Sequence, residues 1–326
     1  MTWRDTELAS RLGLRLPIVQ APMAGGWTPP RLVAAVCEAG GLGSIAGAMS
    51  SPGELRELIR EVRSLTDRPF AVNLFAPLPA PSTRGIEEWS RITGVAAPEE
   101  PAASPRLDDQ LAVVVDERVP VFSFTFGLPP LTGVEAFTIG TATTVAEAVA
   151  LQEAGVQAVV TQGYEAGGHR GSFLAPVERS LIGTLALVPQ VVDAVTVPVI
   201  ASGGLMDGRG VAAARALGAQ GVQLGTAFLR TDEAGTGAAY RTALGRDTTV
   251  THVLTGRHAR AVRTEVVDRL EQSAAEPPDF PLPRRFLTEP PMLAGQGGAM
   301  ARSVPTRELM AALERETSAV VESLSR

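Results

Sequence analysis

The chain has 326 residues, of which 45% are hydrophobic and 20% are charged, and its formal net charge is −6. This length and composition suit one large barrel or two ordinary domains, and they exclude a disordered chain. Because the sequence contains no long basic run and no apolar segment of bilayer length, we expect neither a nucleic acid nor a membrane as partner, and we expect a cytoplasmic protein.

The side-chain inventory excludes several chemistries. All 29 basic residues are arginine, so a lysine Schiff base and a lysine-dependent P-loop are both excluded. The single cysteine, Cys37, permits no intramolecular disulfide and is predicted to be a small buried side chain. Of the three histidines, His252 and His258 are six residues apart, which does not match common zinc spacings. We therefore expect no metal centre.

Short apolar runs alternate with alanine-rich helical patterns along the first two thirds of the chain. The predicted strands are residues 18–23, 42–45, 70–75, 119–124, 136–139, 158–160, 197–201 and 221–224. The predicted helices include 30–39, 52–65, 145–154, 182–195 and 208–217, and Gly40, Gly155 and Gly218 follow three of them as stop signals. Eight continuous apolar strands separated by helices predict an α/β fold, a (β/α)8 TIM barrel. A doubly wound sheet is less favoured, because GLGSIAG lacks the dinucleotide-binding spacing.

Three other regions depart from this rhythm. Residues 77–105 are rich in proline and charge and are predicted to form a surface excursion. Beyond Leu229, residues 241–270 are predicted to be helical and residues 277–291 to be a loop. A last helix is predicted from about Pro305, with an apolar stripe that docks on the barrel or, alternatively, forms a dimer seam: Met310, Leu313, Thr317, Val320 and Leu324.

The loop TQGYEAGGHRGSF, residues 161–173, follows a predicted strand. Its glycines allow backbone amides to approach a ligand closely, and His169 adds a group able to transfer protons near neutrality. This pattern predicts a cofactor or substrate site. The alternative is a turn whose histidine is only structural.

Two further loops are suited to a phosphate group. Ser202, Gly203 and Gly204 lie between a strand and a helix, and Gly225 and Thr226 end the eighth strand. Glycine amides, hydroxyls and a helix dipole can bind phosphate without lysine, and phosphate sites recur in these loops of TIM barrels. Ordinary tight turns are the alternative for each loop taken alone.

Amide side chains end three apolar strands, at Gln20, Asn73 and Gln162. Buried amides need hydrogen-bond partners, and the edge of a planar heteroaromatic ring would supply them. Together with the phosphate loops, this predicts FMN. A phosphosugar would use the same loops but needs fewer amides.

Six motifs together resemble the nitronate monooxygenase family. They are PIVQAPMAGG, DRPFAVNLFAP, SFTFGLP, TQGYEAGGHRGSF, PVIASGGLMDGRGVAAARALGAQGVQLGTAFL and LAGQGGAMARS. They extend over the whole chain in the family's order, and SFTFGLP with EAGGHRG is similar to the class I branch.

The resemblance implies an FMN-dependent oxidoreductase that converts alkyl nitronates, or nitroalkanes, and O2 to a carbonyl compound and nitrite. His169 would be the catalytic residue, either orienting the nitronate or removing the α-proton of a nitroalkane. The cofactor-binding residues would be Gln20, Ala21, Pro22, Met23, Asn73, Gln162, Gly168, Ser202, Gly203, Gly204, Gln223, Gly225 and Thr226.

The resemblance also implies a division of the chain. Residues 1–230 would form the FMN-binding barrel, and residues 231–292 a small, mainly helical subdomain that covers the substrate. Residues 293–326 would return to the barrel. We expect a monomer or a homodimer.

The sequence departs from relatives at the pocket. Thr141 stands where they tend to have lysine or glutamine, and the tyrosines and lysine of class I pockets have no evident counterparts. Arg170 is either an anion partner or a solvated loop residue. The alternative functions are an FMN-dependent NAD(P)H-using reductase, of the enoyl-acyl carrier protein or quinone type, and a non-catalytic flavin-binding protein.

Overall fold

A computed structural model describes residues 2–96, 105–273 and 275–325. Within these residues the strands are β1 (Ile18–Gln20), β2 (Ser44–Ala46), β3 (Ala71–Phe75), β4 (Val121–Thr125), β5 (Phe137–Ala142), β6 (Ala158–Gln162), β7 (Gly168–His169), β8 (Val199–Ser202), β9 (Gly221–Leu224), β10 (Thr248–Thr251) and β11 (Ala259–Val262). The helices are α1 (Glu7–Leu12), α2 (Pro30–Glu38), α3 (Pro52–Leu65), α4 (Ile86–Thr93), α5 (Leu107–Asp116), α6 (Val145–Glu153), α7 (Thr184–Ala194), α8 (Gly208–Ala216), α9 (Ala238–Ala243), α10 (Glu265–Gln272) and α11 (Thr306–Leu324).

Eight of the strands form a parallel sheet in the order β1-β9-β8-β6-β5-β4-β3-β2. A parallel bridge between Val19 and Leu42 joins the two ends of this order. The sheet therefore closes on itself, and the predicted (β/α)8 TIM barrel is confirmed.

Small and branched side chains fill the barrel. Its interior cluster includes Val19, Ala71, Val121, Ile139 and Ile200, each at most 3% exposed. Leu8 and Leu12 of α1 join the same cluster, so this first helix closes the amino end of the barrel. The carboxyl ends of the strands are left for a ligand.

The predicted helix stops are confirmed. Gly40, Gly155 and Gly218 have φ values of +87°, +85° and +93°, in the left-handed region that favours glycine. Each of these glycines is followed within a few residues by the next barrel strand. The last helix, α11, docks on α8 and α2. It buries Met310, Leu313 and Thr317, as the stripe predicts, while Leu324 at its end is 77% exposed.

The helix predicted over residues 241–270 is wrong in its middle part. Strands β10 and β11 form an antiparallel pair there, and β11 also pairs with β7. Thr248, Thr249, Val250 and Thr251 are β-branched, which suits a strand, and pairing with β7 completes a three-stranded sheet. Only α9 and α10 at the two ends are helical.

Residues 77–105, which are predicted to form a surface excursion, also contribute a side chain to a buried cluster. Its helix α4 inserts Trp89, which is fully buried, into a cluster with Val267, Leu270 and Phe286. Residues 97–104 lie outside the described residues. The predicted loop 277–291 contains a 3-10 turn, Leu282–Phe286, whose last residue, Phe286, joins this packing. The division of the chain at residues 230 and 292 stays a prediction.

No helix among the described residues has the length and apolar character that crossing a bilayer requires.

Candidate active site

A cavity of about 220 Å³ opens at the carboxyl ends of the barrel strands. Every predicted site residue except Gln20 lines it: Ala21, Pro22, Met23, Asn73, Gln162, Gly168, His169, Ser202, Gly203, Gly204, Gln223, Gly225 and Thr226. The fold thus brings together residues that are up to 205 positions apart in the chain.

The glycine loops after β8 and β9 present unused backbone donors. The amides of Gly203, Gly204 and Gly225 donate to no acceptor within the described parts of the chain. Gly203 has φ +122°, and a Cβ there would lie 2.7 Å from Thr184 Oγ1, so only glycine fits this turn. Free amides on neighbouring turns form a site suited to an anion.

A third glycine loop completes this part of the cavity. The Gly295 amide donates to Thr226 Oγ1 at 2.9 Å, and both Gly295 and Gly297 line the cavity. These two glycines were not predicted as site residues. The signal was present in the motif LAGQGGAMARS, but its position far along the chain gave no reason to expect it beside β9.

The amide side chains of Gln20, Asn73 and Gln223 have different roles. Gln20 is fully buried. Its Nε2 donates to Ala21 O, and its Oε1 accepts from the Ser44 amide at 3.0 Å. It therefore ties β1 to β2 and does not reach the cavity. Asn73 Nδ2 donates to Ser123 Oγ at 3.0 Å, and its Oδ1 has no hydrogen bond within the described parts of the chain. Gln223 lines the cavity, and its carboxamide has no hydrogen bond to a described residue.

Gln162 organises the histidine loop. Its Nε2 donates to His169 O at 3.0 Å, and its Oε1 accepts from the Gly171 amide at 2.9 Å and from Arg170. The loop after β6 is thereby folded back over the end of its own strand. Gln162 thus both lines the cavity and fixes the backbone of His169.

Both interpretations of Arg170 are wrong. The side chain is 1% exposed, and it donates to the carbonyls of Gln162, Gly163 and Ser180 at 3.0, 2.8 and 2.6 Å. Burial lowers the pKa of its guanidinium to about 10. Arg170 is a structural cation that holds the loop. It does not line the cavity.

The His169 imidazole lies among aromatic edges. Its ring centre is 5.9 Å from that of Phe126 and 5.1 Å from that of Phe280, with interplanar angles of 85° and 81°. Phe75 contacts both phenyl rings. Edge-to-face packing of this kind fixes the orientation of the rings.

The surroundings keep His169 neutral. Burial, and then the positive charges of Arg257 and Arg284, lower the pKa of its imidazole from 6.5 to about 3. Its Nε2 is 3.0 Å from Thr255 Oγ1. Because a cationic imidazole would be desolvated beside two guanidinium groups, the neutral form is stable across the physiological range.

Arg284 carries the one formal charge among the cavity-lining residues, all of which belong to the described chain. Its side chain is exposed at the mouth, on the 3-10 turn whose neighbours Leu282 and Phe286 are buried. A positive charge at the mouth of a largely apolar cavity favours an anionic ligand.

Phe126 was not predicted either. Its φ is +78°, an unusual backbone conformation for a phenylalanine that costs about 1–2 kcal/mol. Contacts with Phe75, His169 and Arg257 hold it. The motif SFTFGLP contains it, but nothing local distinguishes its ring from a core side chain. Strain of this kind is frequent beside functional groups.

Comparison with known proteins agrees with this geometry. The family model described as nitronate monooxygenase matches residues 8–316. The chain belongs to the nitronate monooxygenase family. It is therefore an oxidoreductase of the nitronate- and nitroalkane-oxidising type, as predicted, and the family consists of flavin enzymes.

Relatives in this family align over most of their length. The chain is 42% identical to a probable nitronate monooxygenase of Staphylococcus saprophyticus over 302 residues, which cover 85% of this chain and 84% of that protein. It is 42% identical to a probable nitronate monooxygenase of Staphylococcus haemolyticus over 303 residues, which cover 86% and 84%.

Solved structures agree with the assignment. A nitroalkane oxidase from Streptomyces ansochromogenes superposes with a TM-score of 0.90 at 36% identity, covering 98% of this chain and 100% of that one. FabK from Thermotoga maritima is a weaker match, with a TM-score of 0.76 and 30% identity over 98% of both chains. The similarity to the nitroalkane oxidase is thus the stronger of the two.

Proposed function

We propose that this family member binds FMN across the carboxyl ends of its barrel strands and uses it with O2 to oxidise alkyl nitronates to a carbonyl compound and nitrite, with His169 as the catalytic residue. The observation that carries the proposal is the position of His169 on a cavity that is lined on its other side by glycine turns with unused amides.

The phosphate of FMN fits the glycine turns. The free amides of Gly203, Gly204 and Gly225 and the hydroxyls of Ser202 and Thr226 provide donors without a lysine. Gly225 lines the cavity, and a Cβ on it would have no neighbour closer than 3.4 Å, so the space beside this residue is open. This opening suits an anion that approaches the backbone.

The ring system fits the residues on the other side of the cavity. Asn73 Oδ1 and the Gln223 carboxamide are both free to hydrogen-bond a heteroaromatic edge. Ala21, Pro22 and Met23 supply an apolar surface after β1, and Gly168 approaches from the histidine loop. Gln20 supports this set indirectly, through the backbone that it fixes.

The bound flavin would supply the electron-accepting and oxygen-reacting chemistry. The chain's own residues would bind and orient the substrate. Arg284 at the mouth would attract the nitronate anion, and the cage of Phe75, Phe126 and Phe280 would exclude water from it. His169 would hold the nitronate or accept the α-proton of a nitroalkane.

The segment of residues 231–292, which is predicted to cover the substrate, is proposed to belong to this site. Thr255, Phe280, Pro281 and Arg284, which line the cavity, all come from residues 231–292. We infer that this segment sets substrate access, while residues 293–326 return to the barrel through α11.

A NAD(P)H-using reductase is the second candidate, and the FabK similarity is the observation that favours it. Aerobic assays on FMN-loaded protein distinguish the two candidate functions. We expect ethyl nitronate to drive O2 consumption and nitrite release without a nicotinamide, and NADPH alone to be oxidised slowly. NADPH oxidation that outpaces nitronate turnover would favour the reductase.

The role of His169 is tested in the same assays. His169→Asn keeps a planar polar side chain but lacks the imidazole base. We expect this variant to retain bound FMN and to lose most turnover of neutral nitroalkane, by about 10²-fold or more. Unchanged turnover would remove His169 from the mechanism.

A further inference from the structure

We infer that Thr255 is a positioning residue whose hydroxyl fixes His169 in the tautomer with the proton on Nε2, so that Nδ1 faces the cavity as a proton acceptor and neutral nitroalkanes become substrates. This inference rests on the proposed function for its chemistry. The tautomer of His169, by contrast, is a property of the protein without bound substrate.

The direction of the hydrogen bonds follows from the partners of one hydroxyl. Thr255 Oγ1 lies 3.0 Å from Arg257 O and 3.0 Å from His169 Nε2. A carbonyl oxygen can only accept, so the single hydroxyl proton is directed to Arg257 O. The hydroxyl oxygen then accepts, and His169 Nε2 must carry the proton that it receives.

The other ring nitrogen is consequently unprotonated and open. His169 Nδ1 has no hydrogen bond to a described residue. Because it is not one of the fully buried side-chain atoms without a partner, it retains accessible surface. Since His169 lines the cavity, Nδ1 is accessible from it. Phe126 and Phe280 meet the ring edge-on, which restricts rotation that would exchange the two nitrogens.

The same hairpin holds both the imidazole and the hydroxyl. Strand β11 pairs Ala259 with His169, and the Arg170 amide donates to His258 O at 2.9 Å. Thr255 lies in the connection between β10 and β11 and is 4% exposed. The position of Thr255 relative to His169 is thus set by the backbone pairing of β11 with β7.

With Nδ1 as proton acceptor, His169 can deprotonate a neutral nitroalkane. A preformed nitronate does not need this step. The α C–H bond of a nitroalkane breaks, its proton forms a bond with His169 Nδ1, and its electron pair moves into the nitro group to give the nitronate. Nothing is oxidised in this step. The imidazolium formed keeps its Nε2–H bond to Thr255 and is stabilised by the nitronate anion beside it.

The test compares Thr255→Val, which keeps the shape but removes the hydroxyl, with Thr255→Ser, which keeps the hydroxyl. The measured quantity is kcat/KM for neutral nitroethane divided by kcat/KM for preformed ethyl nitronate, with FMN-loaded protein. We expect the ratio to fall at least about tenfold in Thr255→Val and to be restored in Thr255→Ser. An equal loss for both substrates, which a merely structural role produces, would overturn the inference.

Nitrogen-15 NMR of the histidines tests the tautomer without any turnover. The His169 signals are identified by their loss in His169→Asn. We expect the proton on Nε2 in the wild type and a mixture of tautomers in Thr255→Val. A wild-type proton on Nδ1 would overturn the inference. Absence of turnover with both substrates would instead overturn the proposed function, while the tautomer measurement would still decide the role of Thr255.

Discussion

The guanidinium of Arg257 stacks on the ring of Phe126, with Cζ 3.9 Å from the ring centre. The Nη2 atom of Arg257 also donates to Ser172 O at 2.6 Å. These two contacts hold a cation close enough to His169 to lower the pKa of its imidazole. Together with Arg284, this cation gives the part of the cavity around His169 a positive potential. This potential favours an anionic substrate in the cavity. It disfavours the cationic form of the His169 imidazole.

Arg284→Gln tests this potential at its exposed source. Removing the charge at the mouth should raise the pKa of His169, because Arg284 lowers it. It should also raise KM for ethyl nitronate about two- to fivefold, as expected for a partly screened charge. Arg68→Gln, before the amino end of β3, makes the same change in net charge and serves as the control. Equal effects of both variants on KM would show that Arg284 does not attract the substrate locally.

The lowered pKa of His169 also predicts a pH dependence of stability. Its folded-state pKa of about 3 lies below the usual 6.5, so between these values the unfolded chain binds a proton that the folded chain does not. Stability from this group is therefore lost as the pH falls below 6.5. Between pH 7 and pH 5 the loss is about 2 kcal/mol. In denaturant unfolding, the free energy of unfolding of His169→Asn should fall by about 2 kcal/mol less between pH 7 and pH 5 than that of the wild type. Equal losses in the two proteins would contradict the lowered pKa of His169.

Gly225→Ala tests the phosphate cradle. The added methyl group meets only Ala21 Cβ at 3.4 Å and Met23 Sδ at 3.6 Å, so the folded protein can accept it, but it occupies space on the cavity wall, which Ala21 and Met23 also line. We expect FMN binding to weaken at least about tenfold, which corresponds to about 1.4 kcal/mol, with little change in the melting temperature of FMN-free protein. Gly237→Ala, where a Cβ meets nothing within 4 Å, should bind FMN normally. Unchanged FMN affinity in Gly225→Ala would place the phosphate elsewhere.

A matched pair of glutamine variants separates support from binding. Gln20→Leu leaves the buried Ser44 amide without its acceptor, so FMN-free protein should lose about 1–3 kcal/mol of unfolding free energy. Gln223→Leu removes a carboxamide that has no hydrogen bond to a described residue, and it should weaken FMN binding while stability stays within about 0.5 kcal/mol. Fluorescence titration with FMN and urea unfolding measure the two effects. The reverse pattern would assign the cofactor contact to Gln20.

The barrel and much of the site could be predicted from the sequence because their signals are local. Apolar strands, glycine stops and glycine-rich strand ends each span only a few residues, and parallel strands bring their carboxyl ends together in any barrel. His169 was found because its loop follows β6 directly.

The remaining site residues depend on contacts between distant segments. Whether Gln20 or Gln223 faces the cavity is decided by the register of the closed sheet. Arg170 is buried because the carbonyls of Gln162 and Ser180 surround it, and Thr255 reaches His169 only because β11 pairs with β7. None of these relationships leaves a pattern within one stretch of sequence.

Anaerobic mixing of FMN-loaded protein with ethyl nitronate tests the central claim most directly. With O2 and nicotinamides absent, nitronate alone is expected to change the visible absorbance of the bound flavin within the time of a single turnover, and His169→Asn provides the comparison. A spectrum that nitronate leaves unaltered, while NADPH bleaches it, would contradict the account.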